Sequence, residues 1–206
     1  MSEHKPGQLR GDAARRHILD AAERLLAEGE ADFSMRDLAD AAGVSFATPF
    51  NLFGGKTGIM HALSDRRIDR MHALLAENAD GSDAAARVLR GVAIAVGVMA
   101  AAPAVNRAVM ASLGSPGAVA GAVLARSRAF WGEALGGGAG LKPETAEHAL
   151  ATLPDALALA FRGALSFWTA GEIDEHLLAE QARAAASALL FGFVDAEKER
   201  PSRTAR

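Results

Sequence analysis

Apolar residues recur at helical spacing along most of the chain. Over residues 12–28 they fall at Ile18, Leu19, Ala22, Leu25 and Leu26, the rhythm of an amphipathic helix, and Gly29 stands where a left-handed residue would end it. A shorter run over 35–41 is preceded by Ser34 and carries Asp37 three positions on, the two halves of a capping box, with Gly43 closing it. Ser45 opens a third segment that reaches Leu52. Gly54 and Gly55 break the chain before a long helix over 56–78, which lines up Met60, Leu63, Met71, Leu74 and Leu75 on one side.

The second half continues in helices. Residues 83–102 are apolar on nearly every face after Arg90, which predicts deep burial, and Pro103 starts a short helix to residue 113. Residues 114–117 read as a turn, followed by a helix holding Phe130 and Trp131. Residues 136–140 (Gly-Gly-Gly-Ala-Gly) read as a mobile loop, too short to separate folding domains. Two long helices cover 143–170 and 174–193, with Gly171 between them and Pro154 starting or kinking the first. The pattern thus predicts a flexible arm (1–11), a three-helix head (12–55), a larger helical domain (56–194) and a flexible tail (195–206).

Composition points the same way. Half of the 206 residues are apolar, aromatic residues are few and tyrosine is absent; Ala and Leu, which favour helices, outnumber the β-branched and aromatic residues that favour strands. The expected fold is all-α. The longest apolar stretch, 91–105, has fifteen residues and includes Pro103, short of the roughly 20 that cross a bilayer. Residues 1–16 lack the apolar centre of a signal peptide. With no cysteine there is no disulfide and no thiolate metal site. A cytoplasmic protein with no membrane span is expected.

Several motifs resemble catalytic ones and fail on inspection. Gly55-Lys56-Thr57 looks like the end of a phosphate-binding loop, but Phe50 stands where that loop needs its first glycine, and no strand precedes it. The six histidines (4, 17, 61, 72, 148 and 176) include no i, i+4 pair. Gly114-Ser115-Pro116-Gly117 is not a nucleophile turn. Neither catalytic residues, nor a metal site, nor a cofactor is expected.

The most specific signal lies between residues 34 and 56, where two short helices joined by a turn at Gly43 make a helix-turn-helix. Leu38, Ala39, Ala42 and Val44 are expected inside, with Phe33, Phe50 and Phe53 closing the small core on Ile18 and Leu25. Gly43-Val44-Ser45, Thr48, Phe50, Phe53 and Lys56 stand at the spacing of the tetracycline-repressor (TetR) family of bacterial regulators, which the stretch from Ile18 to Ile59 resembles. The chain departs from that pattern twice. Phe50 replaces the usual tyrosine, removing a hydroxyl commonly aimed at phosphate. Pro49 replaces the usual leucine or isoleucine; if Ser45 is the cap, it forfeits the first helical hydrogen bond, so the helix starts late or tightens.

The resemblance implies that this head binds double-stranded operator DNA. The candidate DNA-binding residues are Ser34, Arg36, Ser45, Phe46, Ala47, Thr48, Asn51, Lys56 and Thr57, with Arg10, Arg15 and Arg16 also within reach of the backbone. Ser34, Lys56 and Thr57 stand at helix N-termini suited to phosphate. Asn51 can read adenine, and Phe46, Ala47 and the Thr48 methyl can pack on thymine methyls. No Arg or Lys lies between Phe46 and Gly55, which leaves Arg36 for any guanine contact. Charge opposes this reading: the chain carries −3, and residues 1–60 hold seven Lys/Arg against nine Asp/Glu, whereas DNA-binding domains are usually basic. Asp20, Glu23, Glu28 and Asp40, however, fall on helix faces able to point away from DNA.

For the second half the resemblance implies a helical effector and dimerisation domain, with the last two long helices pairing across a two-fold axis as a homodimer. Met99, Met110, Phe130, Trp131, Phe161, Phe167 and Trp168 are candidates to line a pocket for a small-molecule effector, with Asn106, Arg107 and Arg162 as polar anchors. Arg162 needs a partner among its apolar neighbours, and Asp155 is one candidate. The leading expectation is a ligand-released repressor. The alternatives are an activator, or a helical small-molecule binder whose head no longer reads DNA.

Overall fold

The computed structural model describes residues 6–113 and 121–194. Its helices are α1 (Pro6–Ala27), α2 (Met35–Ala42), α3 (Ala47–Phe53), α4 (Lys56–Glu77), α5 (Ala84–Ala100), α6 (Pro103–Ser112), α7 (Ala122–Leu135), α8 (Ala146–Thr169) and α9 (Glu175–Phe191). The only extended pairing among the described residues is an isolated antiparallel bridge between Leu141 and Val194. The fold is all-α, as the periodicity predicts.

Three expectations change. Helix α1 begins at Pro6, so residues 6–11 belong to a helix and not to an arm; a proline is well suited to a first helical position, where its missing N–H costs nothing. Helix α8 starts at Ala146 and runs through Pro154 unbroken, with Pro154 buried. The glycine loop 136–140 is tied down: Ala84 N–H donates to the Ala139 carbonyl at 2.7 Å, Lys142 N–H donates to Phe193 at 2.8 Å, and Arg87 donates to the carbonyls of Ala134 and Leu135. Gly136, Gly138 and Gly140 all take positive φ, which explains why this loop needs glycine more than mobility. The expected turn at 114–117 and the tail 195–206 lie outside the described residues, as do residues 1–5.

The chain forms two compact units. One takes residues 1–67 and 101–122, the other 68–100 and 123–206, so the division falls within α4, after Arg67, and not at residue 55. The first unit also takes in α6. Its Val105 and Val109 join Ile18, Leu26, Phe33, Leu38, Ile59 and Leu63 in one buried cluster. Periodicity shows that α6 has an apolar face but not which core receives it. In the second unit α5 and α8 both pack on α9, burying Val88, Val92, Leu153, Leu157, Leu165, Trp168, Leu178 and Ala186. By length and composition α8 alone among the described helices is long and apolar enough to cross a membrane. Within its unit it packs on α9.

Candidate nucleic-acid interface

Local chemistry builds the two short helices. Ser34 caps α2: its Oγ accepts from Asp37 N–H at 3.2 Å, while Asp37 Oδ2 accepts from Ser34 N–H at 2.8 Å, completing the expected capping box. The hydroxyl and amide of Ser34 hold the Asp37 carboxyl below the ordinary range. At the other end Gly43 adopts φ 65°, and Val44 N–H reaches back to the Ala39 carbonyl at 3.0 Å, the left-handed close that a side chain would strain.

Helix α3 starts two residues later than Ser45. Phe46 precedes it, and the Ser45 hydroxyl pairs with that of Thr48 at 2.7 Å instead of capping an amide. This late start removes the difficulty at Pro49. It falls in the first turn, where amides have no helical partner, and its ring is buried in the head. Phe50, expected in the core, is exposed, while Phe53 is partly buried and Phe33 fully so. Positions 47, 50 and 51 share one face of a 3.6-residue helix, a signal already present in the sequence that would have placed Phe50 outside.

The outward face of α3 therefore carries Ala47, Phe50 and Asn51, with Phe46 just ahead of it. Phe46 is 52% exposed. Its ring meets that of Phe50 edge-on at 5.3 Å, and the Arg36 guanidinium lies 5.4 Å from its centroid. Arg36, Thr57 and Arg16 are exposed, and Thr48 is half-buried.

Other cations bond to backbone carbonyls of the head. Arg15 Nη1 donates to the Leu52 carbonyl near the end of α3 at 2.8 Å, with its guanidinium 4.5 Å from the Phe53 ring. Arg24 donates to the Ala41 carbonyl near the end of α2 at 3.1 Å. Lys56 Nζ donates to the carbonyls of Ala31 (2.6 Å) and Phe33 (3.1 Å) and sits 4.5 Å from the Phe33 ring. Lys56 and Arg15, both expected near phosphate, bond here to backbone oxygens, which sequence alone does not locate. Two of the acids that opposed DNA binding are also neutralised: Arg66 meets Asp20 and Arg67 meets Glu23, both at 2.6 Å. Arg10 lies where side chains are not described.

The expected effector residues divide between the units. Asn106, Arg107 and Met110 belong to α6 in the first unit, where Asn106 is buried and its Oδ1 accepts from Arg67 Nε at 2.7 Å. Met99, Phe130, Trp131, Phe161, Arg162 and Trp168 belong to the second. There Trp131 stacks edge-on against Phe130 at 4.9 Å and Phe161 at 5.7 Å. Arg162 is half-buried, and the loss of water lowers its pKa. Asp155, its candidate partner, pairs with Arg128 at 3.5 Å. Phe167 is 54% exposed, so it lines no interior pocket within its unit.

Comparison with known proteins agrees with this geometry. Residues 18–63 match the family model for bacterial regulatory proteins of the tetR family. Among solved structures, a TetR transcriptional regulator from Rhodococcus sp. RHA1 is similar in fold at 24% identity and a TM-score of 0.70, covering 87% of this chain and 96% of its own. A second, TetR-like regulator from the same organism gives 19% and 0.51 over 87% and 96%. The SmeT–triclosan complex gives 18% and 0.50 over 94% and 98%. No curated protein matches the chain in sequence.

Proposed function

We propose that this chain, whose residues 18–63 match the family model for bacterial regulatory proteins of the tetR family, is a DNA-binding transcription regulator of that kind and acts as a dimeric, ligand-released repressor. The observation that carries the DNA-reading part is the solvent-facing row Phe46, Ala47, Phe50 and Asn51, with Arg36 against Phe46. Exposed rings on a short helix leave apolar surface in water unless a partner covers them. Thymine methyls suit the rings and Ala47, an adenine edge suits Asn51, and Arg36 reads guanine. Half-sites are A·T-rich, one guanine is read by Arg36, and a two-fold protein makes the operator near-palindromic. Ser34 and Thr57 contact phosphate, whereas Ser45 steadies Thr48.

Selection of bound duplexes from a random pool tests this reading. Near-palindromic sites with A·T-rich half-sites are expected, and Arg36→Ala should erase the preference for the single guanine. Guanine-rich cores indifferent to Arg36 overturn it. Absence of any sequence enrichment would favour the small-molecule binder with a silent head.

Lys56 and Arg15 act as positioning residues on this reading. Lys56→Met should weaken operator binding yet leave the slope of log affinity against log salt unchanged. Loss of a phosphate contact would instead flatten that slope by about 0.9. Titration at several salt concentrations separates the two roles.

Release follows from two conformations that differ in how the heads are presented, with α4 as one of the three covalent paths between the units. Arg66 and Arg67 fasten its first half to α1 through Asp20 and Glu23, and Arg67 also holds Asn106 of α6. An effector bound in the second unit needs a coupling of only about 1–3 kcal/mol to release DNA. The SmeT complex, with its bound triclosan, offers a precedent for a small-molecule ligand on this fold.

A further inference from the structure

The second unit buries two tryptophans, and they are the only two in the chain. Trp168 Nε1 donates to Glu175 Oε1 at 3.2 Å. Trp131 is 1% exposed, yet its Nε1 finds no acceptor among the described residues. A buried donor without a partner is unfavourable, and native structures keep few of them. Phenylalanine at 131 would fill an apolar cluster without that cost.

The surroundings of this donor are aromatic and apolar. Phe130 and Phe161 meet the indole at interplanar angles of 71° and 67°. Gly91 of α5 stands beside the ring; a Cβ there would come within 3.4 Å of Trp131 Cζ3 and Ala134 Cβ, and within 3.6 Å of Phe130 Cζ. Edge-to-face rings of this kind accept a further flat ring in the same manner. A charged ligand would lose its hydration here in exchange for one neutral donor, an unfavourable trade.

Resting on the reading of the chain as a ligand-released regulator, we infer that its effector is an uncharged aromatic molecule carrying a hydrogen-bond acceptor, which the indole N–H of Trp131 binds. The acceptor is a ring nitrogen or a carbonyl, ether or phenol oxygen; the ring lies against Phe130 and Phe161. Specificity thus comes from one directional bond among otherwise apolar side chains.

Quinoline and naphthalene test this, because they share a shape and differ in one acceptor nitrogen. The full-length wild type should bind quinoline about tenfold more tightly than naphthalene by calorimetry. Trp131→Phe should bind both alike, and Trp168→Phe should keep the preference. With 15N-labelled tryptophan, the Trp131 indole signal, assigned by its survival in Trp168→Phe, should move downfield with quinoline and not with naphthalene, a readout that needs no change at residue 131. A preference that survives Trp131→Phe, an unmoved Trp131 signal, or a wild type that binds neither probe at millimolar concentration overturns the inference. Operator binding measured in the same samples separates the two readings. Intact operator binding without probe binding sinks only the assignment of Trp131. Probe preference without any effect on operator affinity sinks ligand release and leaves the Trp131 site standing.

Discussion

A chain bearing Leu159→Arg and Phe167→Arg is expected to be a folded monomer that binds the operator about a hundredfold or more weakly than the parent. Leu159 is 60% exposed and Phe167 54% exposed, eight residues apart on α8, while Phe191 at the end of α9 is 79% exposed. Positions 159, 163 and 167 follow the i, i+4, i+8 spacing of one helix face, and Gly163 between the two large residues lets another helix approach closely. Large apolar side chains so placed on adjacent helices are the material of an interface core. Pairing of α8 and α9 with a second copy would cover them. The loss in affinity follows from effective concentration. Two linked heads make the second half-site contact intramolecular, a gain of about 10² to 10⁴ that a monomer forfeits. Sedimentation, circular dichroism and operator titration on one sample check the three parts together. A variant that stays dimeric, or a monomer that still binds tightly, refutes the assembly. Leu189 on α9 is half-buried and is a less clean position, since arginine there disturbs the unit's own packing.

The second large effect is expected at Gly58. A Cβ at this position would stand 1.8 Å from the Phe53 carbonyl oxygen and 3.0 Å from its carbon. Both are backbone atoms at the end of α3, followed by Gly54 at φ 74° and Gly55 at φ 151°, so no side chain can move to make room. Gly58→Ala must shift the junction that fixes the recognition helix against α4. Overpacking of this kind costs about 1–3 kcal/mol. Operator affinity should accordingly fall about tenfold to a hundredfold, with the helices of the second unit intact by circular dichroism. Gly97→Ala is the control: nothing lies within 4 Å of its Cβ and its φ is not positive, so it should leave operator affinity unchanged and raise stability by about 0.5–1 kcal/mol. Equal operator affinity for Gly58→Ala and the parent would show that the junction tolerates the methyl group.

Both predictions rest on features that sequence reading reaches only in part. Ser34, Asp37 and Gly43 announced the start and stop of α2, because capping and left-handed closure involve atoms within a few residues of each other. The helix pair from Leu38 to Phe53 was legible for the same reason. Gly58 carried no such mark. Its constraint comes from a carbonyl five positions back across a turn, which no helical period encodes.

The cations were the least legible part of the site. Lys56 and Arg15 look like phosphate contacts in a sequence, since a positive charge near a helix end favours an anion. Their partners are carbonyls 25 and 37 residues away, at Ala31 and Leu52. In the same way Asn106, a candidate effector anchor, receives Arg67 from 39 residues away.

What the sequence determined by itself is what short-range physics controls: an all-α chain, the order of its helices, the capped turn of the head and the exposed positions Phe46, Ala47 and Asn51. Tertiary structure decided the rest. It placed α6 in the core of the head, bonded Arg15, Arg24 and Lys56 to distant backbone carbonyls, set the Phe50 ring edge-on to that of Phe46, and left the Trp131 indole N–H without an acceptor among the described residues while that of Trp168 donates to Glu175. The reason is that periodicity records how much apolar surface a helix must hide, whereas the partner that hides it, or that accepts a given N–H, is chosen only when distant segments pack.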